Sequence, residues 1–99
     1  MNNLDNRKDE AMDENSKTVV SKLIEELTTQ RDELRLKIHL GSLEAKEQLS
    51  ILEDKLFRLR HDFTPAKEAL DESAEDVWDA LKLVGSEIKT GFDRIWKSL

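Results

Sequence analysis

The chain has no cysteine and no tyrosine, one proline and three glycines in 99 residues, and only five aromatic side chains. Without cysteine there is no disulfide staple and no thiolate for metal binding or nucleophilic attack, which fits a reducing compartment and makes the cytoplasm the expected location. The scarcity of proline and glycine leaves few places for a helix to stop, and the scarcity of β-branched and aromatic residues argues against sheet. No apolar run approaches the ~20 residues that span a bilayer, and the opening residues Met1 to Ser16 hold no apolar core of a secretory signal. The expectation is a chain neither membrane-spanning nor exported by that route.

What is present is charge. Charged residues make up 38% of the chain and hydrophobic ones 37%, with a net charge of −6, a mixture typical of solvated helices that carry a narrow apolar stripe. The acidic excess and the lack of a basic stripe make nucleic acid a poor partner. Residues 1–16 hold only Leu4, Ala11 and Met12 besides Met1 as apolar residues. A segment that can bury so little is expected to be a disordered polar tail, leaving 17–99 as the single folded domain.

From Lys17 onward the apolar residues fall into order. Val20, Leu23, Ile24, Leu27, Leu34, Ile38, Gly41, Ala45, Leu49, Leu52, Leu56, Leu59 and Phe63 occupy one arc of a helix expected over about 18–62. Thr64-Pro65 reads as a helix start, threonine capping and proline at the first helical position. A second helix is thus expected over about 65–98. In both segments apolar residues recur eleven apart, as in Leu23, Leu34, Ala45 and Leu56, and in Val77, Ile88 and Leu99. The fold expected is all-α: a long antiparallel helical hairpin reversing near Phe63 and Thr64, with Gly85 beside Gly41, Trp78 near Leu49 and Trp96 near Arg31 and Leu34; the competing architecture is one long helix kinked at Pro65 and zipped to a second chain. Helix 2 would be the shorter, leaving Val20, Leu23, Ile24 and Leu27 bare. Leu36, Leu40 and Leu43 form a further apolar row on the opposite side of helix 1. Together these seven residues form the expected oligomer seam, closing two hairpins into a dimeric four-helix bundle.

Chemistry finds little foothold. His39 and His61 are 22 residues apart and neither belongs to a Glu-x-x-His motif, so no metal ligand set is expected. No Gly-x-Ser-x-Gly or phosphate-binding glycine loop occurs. No catalytic residue, cofactor or metal site is assigned, and the expectation is a protein that is not an enzyme. The acidic run from Glu68 to Asp76 reads as a solvated first helical turn. The stripe of Trp78, Phe92 and Trp96, flanked by Lys82 and Lys89, offers a candidate membrane or partner face, although such a stripe is more often a packing seam.

The segments Leu34-Arg35-Leu36-Lys37-Ile38-His39-Leu40-Gly41 and Leu43-Glu44-Ala45-Lys46-Glu47, with the stretch from Val77 to Ile95, resemble a group of small bacterial coiled-coil proteins of uncharacterised or stress-response annotation. That resemblance covers most of residues 25–99. It implies a helical, cytoplasmic, non-catalytic protein with no established ligand, and it transfers no site residue. The function expected is a coiled-coil structural or protein-interaction module; the alternative is a peripheral membrane or lipid-binding amphipathic helix protein.

Overall fold

A computed structural model describes the backbone of residues 2–68 and 74–99 and the side chains of 16–68 and 76–99. Among the described residues three α-helices follow one another: α1, Asn2–Lys37; α2, Leu43–Glu68; and α3, Ala74–Ser98. A single 3-10 turn, Ile38–Leu40, sits between the first two. No strand occurs among the described residues. The helices lie side by side in a rod with principal extents of 56 × 23 × 16 Å and a radius of gyration of 16.3 Å, longer than the roughly 13 Å of a spherical domain of this length.

The first helix stops where the sequence expectation ran straight through. Gly41 leaves helical geometry at φ −87° and ψ 164°, while its N–H donates to the Ile38 carbonyl at 2.9 Å. Ser42 then caps α2: its hydroxyl accepts from the Ala45 N–H at 3.1 Å and its carbonyl from the Lys46 N–H at 3.1 Å. A serine satisfying the orphan donor three residues on is a strong helix start, and Glu44 adds a favourable charge in the first turn. Gly41-Ser42 is therefore the stop and restart, and the expected continuous helix over 18–62 is two helices.

Thr64-Pro65, expected to start a helix, lies inside α2. Pro65 removes one backbone donor and crowds the His61 carbonyl, at a cost of about 3 kcal/mol in a helix interior. Two packing contacts reward the continuation. Ala66 is buried, and Phe63 meets Trp78 edge-on, with ring centroids 5.7 Å apart and planes at 69°. Pro65 and His61 are both exposed, so the orphaned carbonyl is on the solvent side.

Chain direction follows from the cross-helix contacts. Ser16 accepts from the Lys82 ammonium at 3.1 Å, Glu26 pairs with Lys89 at 3.8 Å, and the Gln30 amide donates to Asp93 at 3.4 Å. Both numbers rise together, so α1 and α3 run parallel. Leu52 faces Gly91 and Phe63 faces Trp78, so α2 is antiparallel to α3. A reversal between residues 63 and 64 would have set Leu52 opposite residue 75; the expected pairings of Gly85 with Gly41 and of Trp78 with Leu49 are likewise replaced. Gly85 lies against Leu23 and Leu59, one residue from each neighbouring helix, and Gly41 lies against Leu99.

The core is a single cluster built from all three helices. Its buried positions recur every seven residues: Val20, Leu27 and Leu34 in α1; Ala45, Leu52, Leu59 and Ala66 in α2; Leu81, Ile88 and Ile95 in α3. Residues eleven apart are buried together as well. Two seams in a seven-residue pattern are separated by four and three, so residues eleven apart, such as Ala45 and Leu56, belong to opposite seams of one stripe.

The backbone of α1 is helical back to Asn2, where a disordered tail was expected over 1–16. That stretch has neither proline nor glycine, so nothing in its sequence interrupts the propagation of helix one hydrogen bond per residue. The acidic run from Glu68 to Asp76 falls largely outside the described residues.

Candidate interaction surface

Three helices cover what two would have left bare. Val20 and Leu27 are fully buried, and Leu23 and Ile24 pack half-buried against the core. These four residues, expected in an intermolecular seam, are occupied within the chain because α1 lies along both α2 and α3. The aromatic stripe of α3 divides in the same way. Trp78 and Phe92 are 1% exposed, whereas Trp96 keeps 45% of its surface. A membrane or partner face made of all three would require the bundle to open.

The other apolar row is different. Leu36, Leu40 and Leu43 are 77%, 64% and 73% exposed, and they follow one another across the end of α1, the 3-10 turn and the first residue of α2. On α1 the core-facing positions are Val20, Leu27 and Leu34; at 100° per residue Leu36 points about 200° away from Leu34. Leu43 precedes the buried stripe of α2, which begins at Ala45. No core-facing rotation of either helix could bury these two, so the joint carries its leucines outward.

Charged and aromatic groups surround the row. Arg35 forms a 3.0 Å ion pair with Glu53 of α2, and the Lys37 ammonium lies 5.3 Å from the centre of the Trp96 ring, within cation–π range. The His39 ring nitrogen Nδ1 donates to the Leu36 carbonyl at 3.1 Å. The last turn of α3 reaches the same end, since Arg94, Ile95 and Ser98 share a groove with Ser42, Glu44 and Ala45.

A second groove runs between α1 and α3, floored by Leu34 and Phe92 and walled by Gln30 and Trp96. There the Gln30 side-chain oxygen is buried with no hydrogen-bond partner, a condition that costs about 1–3 kcal/mol unless a donor reaches it. His39 and His61 are both exposed and on different helices. Among the described residues no three His, Asp or Glu side chains gather around one point as metal ligands would, and no helix is long and apolar enough to cross a membrane.

The sequence placed Leu36, Leu40 and Leu43 on a non-core face and set Trp96 near Leu34, with which it shares a groove, but did not bring the end of α3 up to Ser42 and Glu44. The missed signal was the Gly41-Ser42 stop and restart, which brings α3 to this end in place of a continuing helix. Comparison with protein-family models, with curated proteins and with solved structures finds no match.

Proposed function

We propose that this chain is a non-catalytic interaction module: a helical bundle that supports, at the joint between α1 and α2, a contact surface for another body. One observation carries this reading, the 64–77% exposure of three consecutive-row leucines beside a core in which every other seam leucine of α1 and α2 is covered or half-covered. Exposed apolar residues that are grouped rather than scattered mark binding surfaces.

The module's relation to its own copies follows from size. Leu36, Leu40 and Leu43 together expose little more than two leucines' worth of surface, whereas a stable protein interface occupies about 20–30 residues a side. Val20 and Leu27, on which the expected four-helix dimer rests, are covered within the chain, so self-association through Leu36, Leu40 and Leu43 alone would be weak. Sedimentation velocity over a micromolar range tests this: the reading expects a monomer, and a dimer that survives dilution and is insensitive to Leu40→Ser would place the contact surface elsewhere.

A further inference from the structure

We infer that the α1–α2 turn is a hinge for exchange with a second copy of this chain: α1, residues 38–42 and α2 straighten into one helix, and each copy packs its α1 on the α2 and α3 of the other. The inference is independent of Leu36, Leu40 and Leu43. At 100° per residue they stand about 140–180° from Ala45 on the straightened helix, so exchange leaves them as exposed as they are in the single chain.

The apolar seam runs through the turn itself. From Leu34 it steps to Ile38, Gly41, Ala45, Leu49 and Leu52, by four, three, four, four and three residues. Leu34, Ala45, Leu49 and Leu52 are buried, and Ile38 packs half-buried against them. One repeated four is an insertion that a continuous coiled coil absorbs by slight local unwinding. Two helices joined by a turn need share no phase, because the turn resets the rotation of the second. Here Ile38 and Gly41 fill the two seam positions that an unbroken helix would place between Leu34 and Ala45.

Nothing outside the turn has to change. The polar ties of α1 to α3, Ser16 with Lys82 at 3.1 Å, Glu26 with Lys89 at 3.8 Å and Gln30 with Asp93 at 3.4 Å, form equally well between chains, and so does the burial of Val20, Leu27 and Leu34. Exchange of an identical element costs little for that reason, and the balance rests on residues 38–42. None of them is proline and none has a positive φ. Gly41, at φ −87° and ψ 164°, adopts a conformation open to any residue, so the turn uses glycine for space. A Cβ there would stand 3.0 Å from a Leu99 methyl, 3.2 Å from the Ile38 carbonyl oxygen and 3.3 Å from the Ala45 Cβ. One added methyl thus crowds the turn and favours the helix.

The test is refolding of the full chain from urea at about 1 μM and at about 1 mM, below and near the effective concentration at which a short linker presents its element. Both samples are then diluted to micromolar concentration and sized by chromatography with light scattering. The dilute sample should give monomer, and the concentrated one a dimer that outlasts dilution. Gly41→Ala with Ser42→Ala, which also removes the cap on Ala45, should raise the dimer's formation constant by at least about a hundredfold, each change being worth about fivefold on each of two chains. Leu43→Pro should abolish the dimer and leave the monomer, because Leu43 is the first residue of α2, where proline is favoured, and proline breaks a helix that runs through it.

Spin labels at Lys17 and Lys67, on chains refolded with an excess of unlabelled chain, identify what the dimer is. Those positions share one depression in the single chain, so a side-by-side dimer keeps the labels within about 20–25 Å, whereas exchange sets them about 75 Å apart along one helix. The longer distance is expected in the dimer and the shorter in the monomer. No dimer from the wild-type chain at millimolar concentration overturns the inference, as does a dimer with the short distance, an equal yield from Leu43→Pro, or a folded double variant that dimerises no better than wild type. Should the double variant not fold, the wild-type and Leu43→Pro samples decide alone. Protein folded and held at micromolar concentration stays monomeric under exchange, so the sedimentation test of the contact surface succeeds or fails separately.

Discussion

Leu27 distinguishes the three-helix arrangement from a two-helix hairpin. In a hairpin that turns at residue 64, Leu27 lies beyond the end of the shorter helix, and truncating it would cost no more than a typical surface change, about 0.5 kcal/mol. In the bundle it is 0% exposed and belongs to the central cluster. Leu27→Ala removes buried methyl groups and leaves a cavity walled by three helices, for which comparable substitutions cost about 2.7–5 kcal/mol. A value near 3 kcal/mol is a large share of the roughly 5–15 kcal/mol that holds a domain folded, and it corresponds to a melting temperature lower by about 12–24 °C. Urea titration followed by circular dichroism at 222 nm measures it, with an unchanged m-value showing that the unfolding unit is the same. Leu36→Ala, at 77% exposure, is the internal control and should stay within about 0.5 kcal/mol. Equal costs at the two positions, or a Leu27→Ala cost below about 1 kcal/mol, would refute the placement of α1 in the core.

Leu56, 2% exposed, should cost about 2–4 kcal/mol on truncation to alanine in the same urea assay. A Cβ at Gly91 would stand 2.6 and 2.8 Å from the two methyls of buried Leu52; rotating one methyl away cannot relieve both, so Gly91→Ala should destabilise by about 1–2 kcal/mol despite its gain of up to about 1 kcal/mol in helix propensity. The Arg35–Glu53 pair is 62% exposed on the arginine side, and a double-mutant cycle on it should give less than about 1 kcal/mol. Lys17 and Lys67 line one surface depression, so spin labels there should lie within about 20–25 Å, whereas fifty residues of unbroken helix would separate them by about 75 Å; a pulsed-dipolar distance near the longer value would eliminate the fold.

The stripe on each helix was legible because burial follows sequence period: Val20, Leu27, Leu49, Leu56, Ile88 and Phe92 read as seam and are buried. The punctuation was harder. Thr64-Pro65 carries two local rules that favour a helix start, yet tertiary contacts of Phe63 and Ala66 hold the helix through it. Gly41-Ser42 carries an equally good stop-and-cap signal, but it was masked. The eleven-residue step from Leu34 to Ala45 crosses the break and still joins two core residues, so the period continues unbroken across a chain that does not. Periodicity records which residues face a core; it is silent on whether they reach it along one helix or two.

That silence also explains why the exposed leucines were more informative than the buried ones. A buried seam is compatible with several ways of folding α1, α2 and α3 together, because each supplies interchangeable apolar stripes. Leu36, Leu40 and Leu43 belong to no stripe: Leu36 sits opposite the α1 seam, Leu43 precedes the α2 seam, and Leu40 occupies the turn between them. Their placement is thus a consequence of where the helix breaks. Moving the joint by substitutions at Gly41 and Ser42 should alter that surface before it alters the core: Ser42→Ala removes the cap on Ala45 and should cost about 1 kcal/mol, while loosening the turn that holds Leu40 beside its neighbours. A urea titration followed by circular dichroism measures that cost, and a Ser42→Ala loss below about 0.3 kcal/mol would show that α2 does not depend on this cap to begin where it does.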